Sequence, residues 1–325
     1  MKQMTDYNFS DEIRSEAETY ISYKRSLGFS VSVEEQRKLA YMLKFIYVHN
    51  NGNISHLTED TVCAFLSKSE SCKPRTKHAN QSLIRQYGLY LKLNGDDSYI
   101  YPSTLIQCPK DFTPYIFTEE EITLILNQAD KIGPNKNKFV NTPLIYPAVF
   151  RILYACGTRV GETLALKTTD VDLEEGILTL HNGKNKVSRM IPMSDSLTKY
   201  LRRYAQKVDR SDGNPYFFPA LHGECYSQTT ILNTFKKLMK SAGIKPMSNG
   251  KYPRVHDLRH TYAVHALEAS ISKGMDPYCS LPALSTYMGH KGIESTEYYL
   301  RLTKQYFISV LNYTQEQANI IFPEV

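Results

Sequence analysis

The densest group of potentially catalytic side chains in this 325-residue chain is His256-Asp257-Leu258-Arg259-His260. A loop containing Pro253 precedes the motif and an apolar-periodic helix follows it. The motif therefore stands at a helix N-terminus, where free backbone N–H groups favour an anion. His256 and Arg259 are three residues apart and share one face of the first turn. An imidazole beside a guanidinium suits a phosphate group, although a capping histidine with a surface arginine fits the spacing equally well.

A second arginine stands in the segment Gly157-Thr158-Arg159-Val160-Gly161-Glu162, directly after an apolar helix. Thr158 can cap a helix that starts at Arg159. Glu162 comes one turn later, where it can orient an arginine or a histidine. Arg159 then offers a second planar fork of donors to an anion. Taken alone, the segment also fits an ordinary connection between two helices.

A lysine follows the strongest turn signal in the chain. Residues 177–180 and 187–191 have the composition of strands, and Asn182-Gly183 between them favours a type I′ hairpin turn. Lys184 comes next, with Lys186 as the alternative, on a projecting ribbon. A lysine at such a tip can deliver a proton or a charge to one phosphate, or it can be a plain solvated charge.

The last group of chemically capable residues joins a glycine-terminated helix to a tyrosine. Gly289-His290 follows that helix, and Tyr299 comes nine residues after His290. A phenol with a pKa of about 10 attacks phosphorus poorly unless cations and a base lower the cost of deprotonation. The chain has 24 tyrosines, so packing is the default role of each one. Tyr298 is the neighbouring alternative nucleophile.

In order and spacing, these residues resemble the active-site set of the tyrosine recombinases, the phage integrase family. The set consists of Arg159, Glu162, Lys184, His256, Arg259, His290 and Tyr299. The helical N-terminal part is similar to the core-binding domain of that family, so the resemblance covers the chain from about residue 11 onward. It implies a mainly α fold with a small antiparallel β-sheet, in which a helical core-binding bundle precedes the catalytic domain.

The resemblance implies a site-specific DNA recombinase that cuts and rejoins DNA through a 3′-phosphotyrosyl intermediate. Tyr299 would attack the scissile phosphate, with Tyr298 reserved for packing or orientation. Arg159 and Arg259 would stabilise the charge that grows on the non-bridging oxygens. Lys184 would protonate the leaving 5′-oxygen.

The remaining residues of the set have supporting roles by the same resemblance. His256 would accept or relay the tyrosine proton, His290 would hydrogen-bond the phosphate, and Glu162 would support the histidine–arginine cluster. Exchange of one phosphate ester for another conserves most of the bond free energy, and the chain has no GxxxxGK[ST] motif, so we expect no nucleotide cofactor. We expect no metal either, because two fixed arginines replace divalent ions.

Periodicity and capping residues locate the elements that must position these side chains. Four helices are predicted in the N-terminal part, at 11–27, 33–49, 57–68 and 74–93. In the C-terminal part, helices are predicted at 118–129, 143–155, 194–207, 229–241, 257–269, 281–288 and 303–313, with the hairpin between the second and third of them. Ser295 and Thr296 are candidate caps for the short segment that carries Tyr299.

Length and composition fit a globular protein of two domains, since 42% of the residues are hydrophobic and 22% are charged. We expect residues 1–102 to form the DNA-binding, core-binding domain, 103–114 the linker, and 115–325 the catalytic domain. No run of 18 apolar residues and no signal-peptide pattern is present, which favours a cytoplasmic protein. The six scattered cysteines are expected to be reduced thiols.

Double-stranded DNA with specific recombination sites is the expected partner. The net charge is +6, of which the residues after 114 contribute +5. Candidate DNA contacts, each of which could equally be a solvated charge, are Lys73, Arg75, Lys77 and Arg85 in the fourth helix and Lys236 and Lys237 further on. We expect DNA to be clamped between the domains, a homotetramer on DNA with the C-terminal segment exchanged in trans, and accessory DNA-bending factors as possible partners. No membrane partner is expected.

Two departures from the family pattern stand near the nucleophile. Residues 273–280 look like an insertion between Arg259 and Tyr299, and Met288 replaces the usual leucine before Gly289. The expected role is integration, excision or transposition of a mobile element. The alternatives are a chromosome-dimer-type resolvase, a type IB topoisomerase-like enzyme and a non-catalytic DNA-binding regulator.

Overall fold

The computed structural model describes residues 9–103, 106, 113–133, 141–181, 188–210, 213–220, 224–290 and 292–303. The chain divides into two compact units, residues 1–112 and 113–325. Each unit has its own hydrophobic core. The assignment of a linker to 103–114 stays a prediction.

The N-terminal unit is a bundle of four helices. They are α1 (Asp11–Ser26), α2 (Val33–His49), α3 (Glu59–Ser67) and α4 (Pro74–Leu93). Ser32 and Glu35 form a capping box at the start of α2, and Pro74 occupies the first turn of α4, where its missing N–H is not needed. The core contains a tyrosine cluster in which the Tyr20 and Tyr87 rings meet edge to face at 5.4 Å.

The second unit contains eight helices and a small sheet among the residues that the structure describes. The helices are α5 (Glu119–Asp130), α6 (Thr142–Ala155), α7 (Val160–Leu164), α8 (Asp195–Lys207), α9 (Gln228–Ser241), α10 (Val255–Ser272), α11 (Pro277–Met288) and α12 (Glu294–Leu300). The strands β1 (Val171–Asp172), β2 (Ile177–Leu180) and β3 (Arg189–Pro192) form an antiparallel sheet in the order β1-β2-β3. The predicted mainly α fold with a small antiparallel sheet is therefore confirmed.

The core of the second unit surrounds α6, which is apolar on nearly every side because other helices cover it. A smaller cluster joins α10, α11 and α12 around Val264, Leu281 and Met288. This second cluster also contains Tyr299, so the expected nucleophile belongs to a packed region.

Several predicted boundaries differ from those observed. The predicted helix at 281–288 begins at Pro277 instead, because the Asp276 side chain caps it by accepting a hydrogen bond from the Tyr278 N–H at 2.7 Å. The predicted insertion at 273–280 is thus a turn followed by the start of α11. Strand β1 was not predicted, since two residues carry too little pattern. The hairpin tip at 182–187 and all but the first residue of the predicted helix at 303–313 lie outside the described residues.

None of the helices that the structure describes is long and apolar enough to span a membrane.

Candidate active site

A buried arginine lies at the start of α10. The Asp257 side chain accepts a hydrogen bond from the backbone N–H of Arg254 at 2.6 Å, which fixes the first turn of the helix. Arg259 follows on the inner face and is only 2% exposed. Its guanidinium donates to the backbone carbonyls of Gly157, at 2.6 Å, and Met288, at 2.5 Å. Arg259 therefore joins the end of α6 to the end of α11.

Arg159 lies at the start of α7, on the same turn that receives Arg259. Its Nη1 donates to Glu162 Oε1 at 2.6 Å, and its Nη2 donates to the carbonyl of Gly289 at 3.2 Å. The predicted cap at Thr158 is wrong, because the Thr158 hydroxyl bonds to the Thr163 hydroxyl at 2.6 Å instead. The Glu162 carboxylate itself accepts from the Arg159 N–H at 3.0 Å and thereby closes the turn.

A third arginine, to which the sequence assigns no role, completes this network. Arg189 in β3 pairs with Glu162 at 2.8 Å and donates through Nε to the Tyr287 carbonyl at 2.9 Å. Burial would raise the pKa of Glu162, but hydrogen bonds from Arg189 and from the Arg159 backbone lower that pKa to about 2. Arg189 shares a strand face with the buried Ile191, and this alternation was the available sequence signal.

The turn at Met288 and Gly289 holds both guanidinium groups expected at the phosphate. Arg259 bonds to the carbonyl of Met288, and Arg159 bonds to that of Gly289. Gly289 ends α11 in the left-handed conformation at a φ of +65°. A Cβ there would lie 2.9 Å from the Arg189 guanidinium. Backbone conformation and close packing both require glycine at this position.

Tyr299 in α12 lies in the same part of the unit and is 3% exposed. Its hydroxyl oxygen is 2.9 Å from Nδ1 of His260, the residue that follows Arg259. Tyr298, the alternative nucleophile, is 37% exposed. The sequence points to His256 as partner of the tyrosine, whereas the structure places His260 against the hydroxyl.

His290 links the arginine pair to α12. Its Nε2 lies 3.1 Å from Nη2 of Arg259, and its Nδ1 lies 2.7 Å from the Thr296 hydroxyl. A guanidinium can only donate, so Nε2 accepts and Nδ1 carries the proton. Thr296 is not the predicted helix cap, because α12 begins after Ile293 without a side-chain cap. Ser295, the other predicted cap, likewise lies within α12.

His256 lies at the surface, four residues before His260. It lines an open cleft of about 670 Å³ together with Arg159, Glu162, His181, Gln228 and Arg254. Its ring meets the His260 ring edge to face, with 4.8 Å between the centroids. The cleft thus brings His256 and Arg159, both predicted site residues, to one solvent-accessible surface.

The electrostatic environment keeps the imidazoles neutral. Desolvation and neighbouring arginines lower the pKa of His256 and of His290 to about 4, and desolvation and the neighbouring His256 and arginines lower that of His260 to about 3. Burial raises the pKa of the Tyr299 hydroxyl, an effect that the charge of Arg259 opposes. Arg159, Arg189 and Arg259 face a single carboxylate in this network, so these four side chains together carry two excess positive charges.

The predicted DNA-contact residues lie on two helices. Lys73 and Arg75 are exposed at the start of α4, Lys77 in its first turn is partly buried, and so is Arg85 near the middle of the helix. Arg85 also donates a hydrogen bond to the backbone carbonyl of Tyr101, so its side chain has a structural function. Lys236 and Lys237 are exposed on α9.

Lys184, the predicted proton donor, and Lys186, its alternative, lie outside the described residues. Within the described ranges, no three His, Cys, Asp or Glu side chains come together in a way that could hold a metal ion.

Comparison with known proteins identifies the family whose sequences this chain resembles. The model of the phage integrase family matches residues 116–306. A putative integrase/recombinase, y4rB of Sinorhizobium fredii, is 29% identical over 292 residues, which are 88% of this chain and 92% of that protein. The tyrosine recombinase XerA of Pyrococcus furiosus is 31% identical over 211 residues, which are 64% of this chain and 63% of that protein.

The fold also agrees with a solved structure. The XerH site-specific recombinase bound to palindromic difH substrate, in a post-cleavage complex, superposes with a TM-score of 0.61 at 20% identity, covering 88% of this chain and 82% of that one. Since the family model covers more than half of the sequence, the chain belongs to the phage integrase family and is a tyrosine site-specific recombinase.

Proposed function

We propose that this recombinase cuts and rejoins double-stranded DNA through a 3′-phosphotyrosyl intermediate on Tyr299. The observation that carries the proposal is the shared turn at 288–289, which holds Arg159 and Arg259 side by side in the unit that contains Tyr299. Two fixed guanidinium groups can each offer donors to the non-bridging oxygens of one phosphate.

The charge of the site supports phosphoryl transfer. A DNA phosphodiester carries one negative charge, and attack by an oxygen nucleophile raises this to two on the phosphorane. Arg159, Arg189, Arg259 and Glu162 together carry two excess positive charges. Preorganised cations that match the charge of the transition state better than that of the substrate accelerate the chemical step.

The reaction balances without a cofactor. The Tyr299 oxygen loses its proton and bonds to phosphorus, and the bond from phosphorus to the 5′-oxygen breaks. Lys184 supplies the proton that makes this oxygen a hydroxyl leaving group rather than an alkoxide. The 5′-hydroxyl of a partner strand then attacks phosphorus and gives its proton back to Lys184, the bond from phosphorus to the Tyr299 oxygen breaks, and the tyrosine recovers its proton.

A denaturing gel tests the nucleophile directly. The protein is incubated in EDTA with nicked duplexes that carry candidate sites, so that the cleaved strand diffuses away and the adduct accumulates. We expect a covalent protein–DNA band with the unmodified protein and with Tyr298→Phe, and none with Tyr299→Phe. A band that persists in Tyr299→Phe would give the role to another residue.

Assembly on DNA is the second part of the proposal. An open groove of about 500 Å³ between α10 and α11 is lined mainly by apolar side chains, among them Leu267, Met275, Leu284 and Tyr287. The C-terminal segment after residue 303 contains apolar residues such as Phe307, Ile308 and Leu311. We infer that this segment of one protomer docks in the groove of its neighbour and holds a homotetramer together on DNA.

Deletion of residues 304–325 tests this assembly. We expect the shortened protein to bind a single DNA site but to lose cooperative occupation of paired sites in a gel-shift titration. Met275→Glu, which places a charge at the groove, is expected to reproduce the loss in the full-length chain. Unchanged cooperativity in both variants would refute docking in trans.

We also infer that the reaction integrates, excises or transposes a mobile element, which accords with the integrase/recombinase named among the relatives. A plasmid carrying the element ends would then yield an excised circle. Recombination confined to identical sites in a plasmid multimer would favour the resolvase alternative, and relaxation of supercoils without any site would favour the topoisomerase alternative.

A further inference from the structure

We propose that His260 is a catalytic residue of this recombinase, whose Nδ1 takes the proton of Tyr299 as the phenolic oxygen attacks phosphorus. In the rejoining step the same nitrogen returns the proton to the departing phenolate. This inference rests on the proposed function of Tyr299 as nucleophile, and it assigns the proton to a histidine other than the one that the family resemblance favours.

Geometry selects His260 over His256. His260 Nδ1 is 2.9 Å from the Tyr299 hydroxyl oxygen, which is within the range for proton transfer. The two rings lie 5.6 Å apart, at 52° to each other. His256 and His260 are on one side of α10, because they are four residues apart, but His256 reaches the open cleft and not the phenol.

Both partners of this hydrogen bond are held from several directions. Tyr299 packs in the cluster of α10, α11 and α12, beside Val264 and Met288. His260 stands on α10 directly after Arg259, whose guanidinium is fixed by two backbone carbonyls. The nucleophile, its proton acceptor and one phosphate ligand therefore move as parts of one packed helix assembly.

The surroundings of His260 make its imidazole a weak base until a DNA phosphate binds. Desolvation by burial is the largest effect against its protonated form, and the guanidinium groups of Arg254 and Arg259 add to it, so the imidazole is neutral and can accept a proton. A DNA phosphate held by Arg159 and Arg259 would bring a negative charge to the same place. That charge offsets the arginines and makes the imidazole more basic at the moment when the tyrosine must lose its proton.

A change in the acidity of the phenol tests the assignment. Tyr299 is replaced by 3,5-difluorotyrosine through nonsense suppression, which lowers the pKa of the nucleophile and reduces its need for a base. With tyrosine at 299, we expect His260→Asn to slow single-turnover cleavage of a nicked substrate by about 10²-fold. With difluorotyrosine at 299, we expect the same substitution to slow cleavage by less than about tenfold.

His260→Asn is the informative variant because the asparagine oxygen can replace Nδ1 as a hydrogen-bond acceptor but cannot take the proton. A purely structural role for His260 would give the same loss of rate with either phenol, and that result would overturn the proposal. His260→Gln provides a second variant for the same comparison if the asparagine variant unfolds.

His256→Asn is the matched control, four residues away on the same helix. We expect its loss of rate to be the same with tyrosine and with difluorotyrosine. If the fluorinated phenol rescues His256→Asn instead, the proton goes to His256 and the proposal is wrong. Failure of the proposed function is distinct, because the protein with both histidines intact would then form no adduct at all.

Discussion

Among the described residues, the two units of this chain differ in whether they contain a fully buried ion pair. In the N-terminal bundle, histidines pair with carboxylates near the surface, as in His49 with Asp60 and His56 with Asp96, each at 3.0 Å. In the second unit, called the catalytic unit below because it contains the candidate active site, Glu162 and Arg189 form an ion pair in which both side chains are less than 10% exposed. Aromatic and aliphatic packing dominates the first core, whereas a polar network crosses the second unit.

The difference accords with the roles on DNA that we propose for the two units. Removing charges from water is costly, and only good geometry with several hydrogen bonds compensates for it. The DNA binding proposed for the bundle would need only exposed cations, which is compatible with its apolar core. The proposed stabilisation of a phosphorane would need cations that are fixed before the reaction, and the second unit holds Arg159, Arg189 and Arg259 by hydrogen bonds.

The largest difference between the two units is expected in the cleavage rate after removal of one arginine from each. We expect Arg259→Ala to reduce single-turnover cleavage by about 10³-fold, because a preorganised phosphate ligand is lost. Arg75→Ala, which removes an exposed arginine of the bundle, should weaken DNA binding and leave cleavage at saturating protein within about twofold. Similar losses of cleavage rate in both variants would remove the contrast between the units.

A DNA substrate with a different leaving group tests whether Lys184 protonates the leaving 5′-oxygen. We expect Lys184→Ala to slow cleavage by about 10²-fold on ordinary DNA. A 5′-bridging phosphorothiolate leaves as a thiolate without a proton, so the same variant should cleave it nearly as fast as the unmodified protein does. Arg259→Ala should gain no such rescue. If Lys184→Ala stays slow on the sulfur substrate, Lys186→Ala is the next variant to compare.

The buried ion pair should contribute more stability than a surface pair. We expect Glu162→Gln to lower the unfolding free energy of the catalytic unit by about 3 kcal/mol at pH 7, since the folded state holds the pKa of Glu162 far below its ordinary value. This stability is fully present above about pH 4.5, the unfolded value, and is lost as the pH falls toward 2.

Asp96→Asn in the bundle is the matched change at a surface pair, and we expect it to cost less than about 1 kcal/mol. Hydrogen exchange followed by mass spectrometry resolves the two units, with α4 and α10 as reporters. An equal effect of the two substitutions would mean that burial does not distinguish the ion pairs.

The smallest effects are expected at the exposed lysines. Lys73→Ala in the bundle and Lys236→Ala on α9 should each reduce DNA affinity a few-fold and lower the slope of log Kd against log salt by about one. Fluorescence anisotropy across a salt series measures both quantities. A slope that stays unchanged for one of these lysines would identify it as a solvated charge.

The sequence predicts the local elements well, because their signals are local. Thr118 caps α5 through a capping box with Glu121, and the run from Pro74 to Leu93 forms α4 as expected. The sequence predicts the start of α11 four residues too late, because the cap at Asp276 lies inside what looks like an insertion. The residue types of the site also follow from spacing and resemblance, although their roles remain proposals.

Partners that are distant in the sequence could not be predicted. The hydrogen bond of His260 to Tyr299 spans 39 residues and depends on how α12 returns to α10. Arg189 meets Glu162 across 27 residues, and nothing in the hairpin motif distinguishes a buried arginine from a solvated one except the alternation with Ile191. Local sequence patterns identify the side chains that can take part in the site, whereas tertiary packing determines which of them are in contact.

The left-handed turn at the end of α11 couples the positions of the Arg159 and Arg259 guanidinium groups. Because adjacent carbonyls at 288 and 289 anchor separate guanidinium groups, a small rotation of that helix end would withdraw both together. A protomer should then have either both arginines in position for catalysis or neither of them. In the homotetramer that we propose, such all-or-none behaviour would let neighbouring subunits be active at different times.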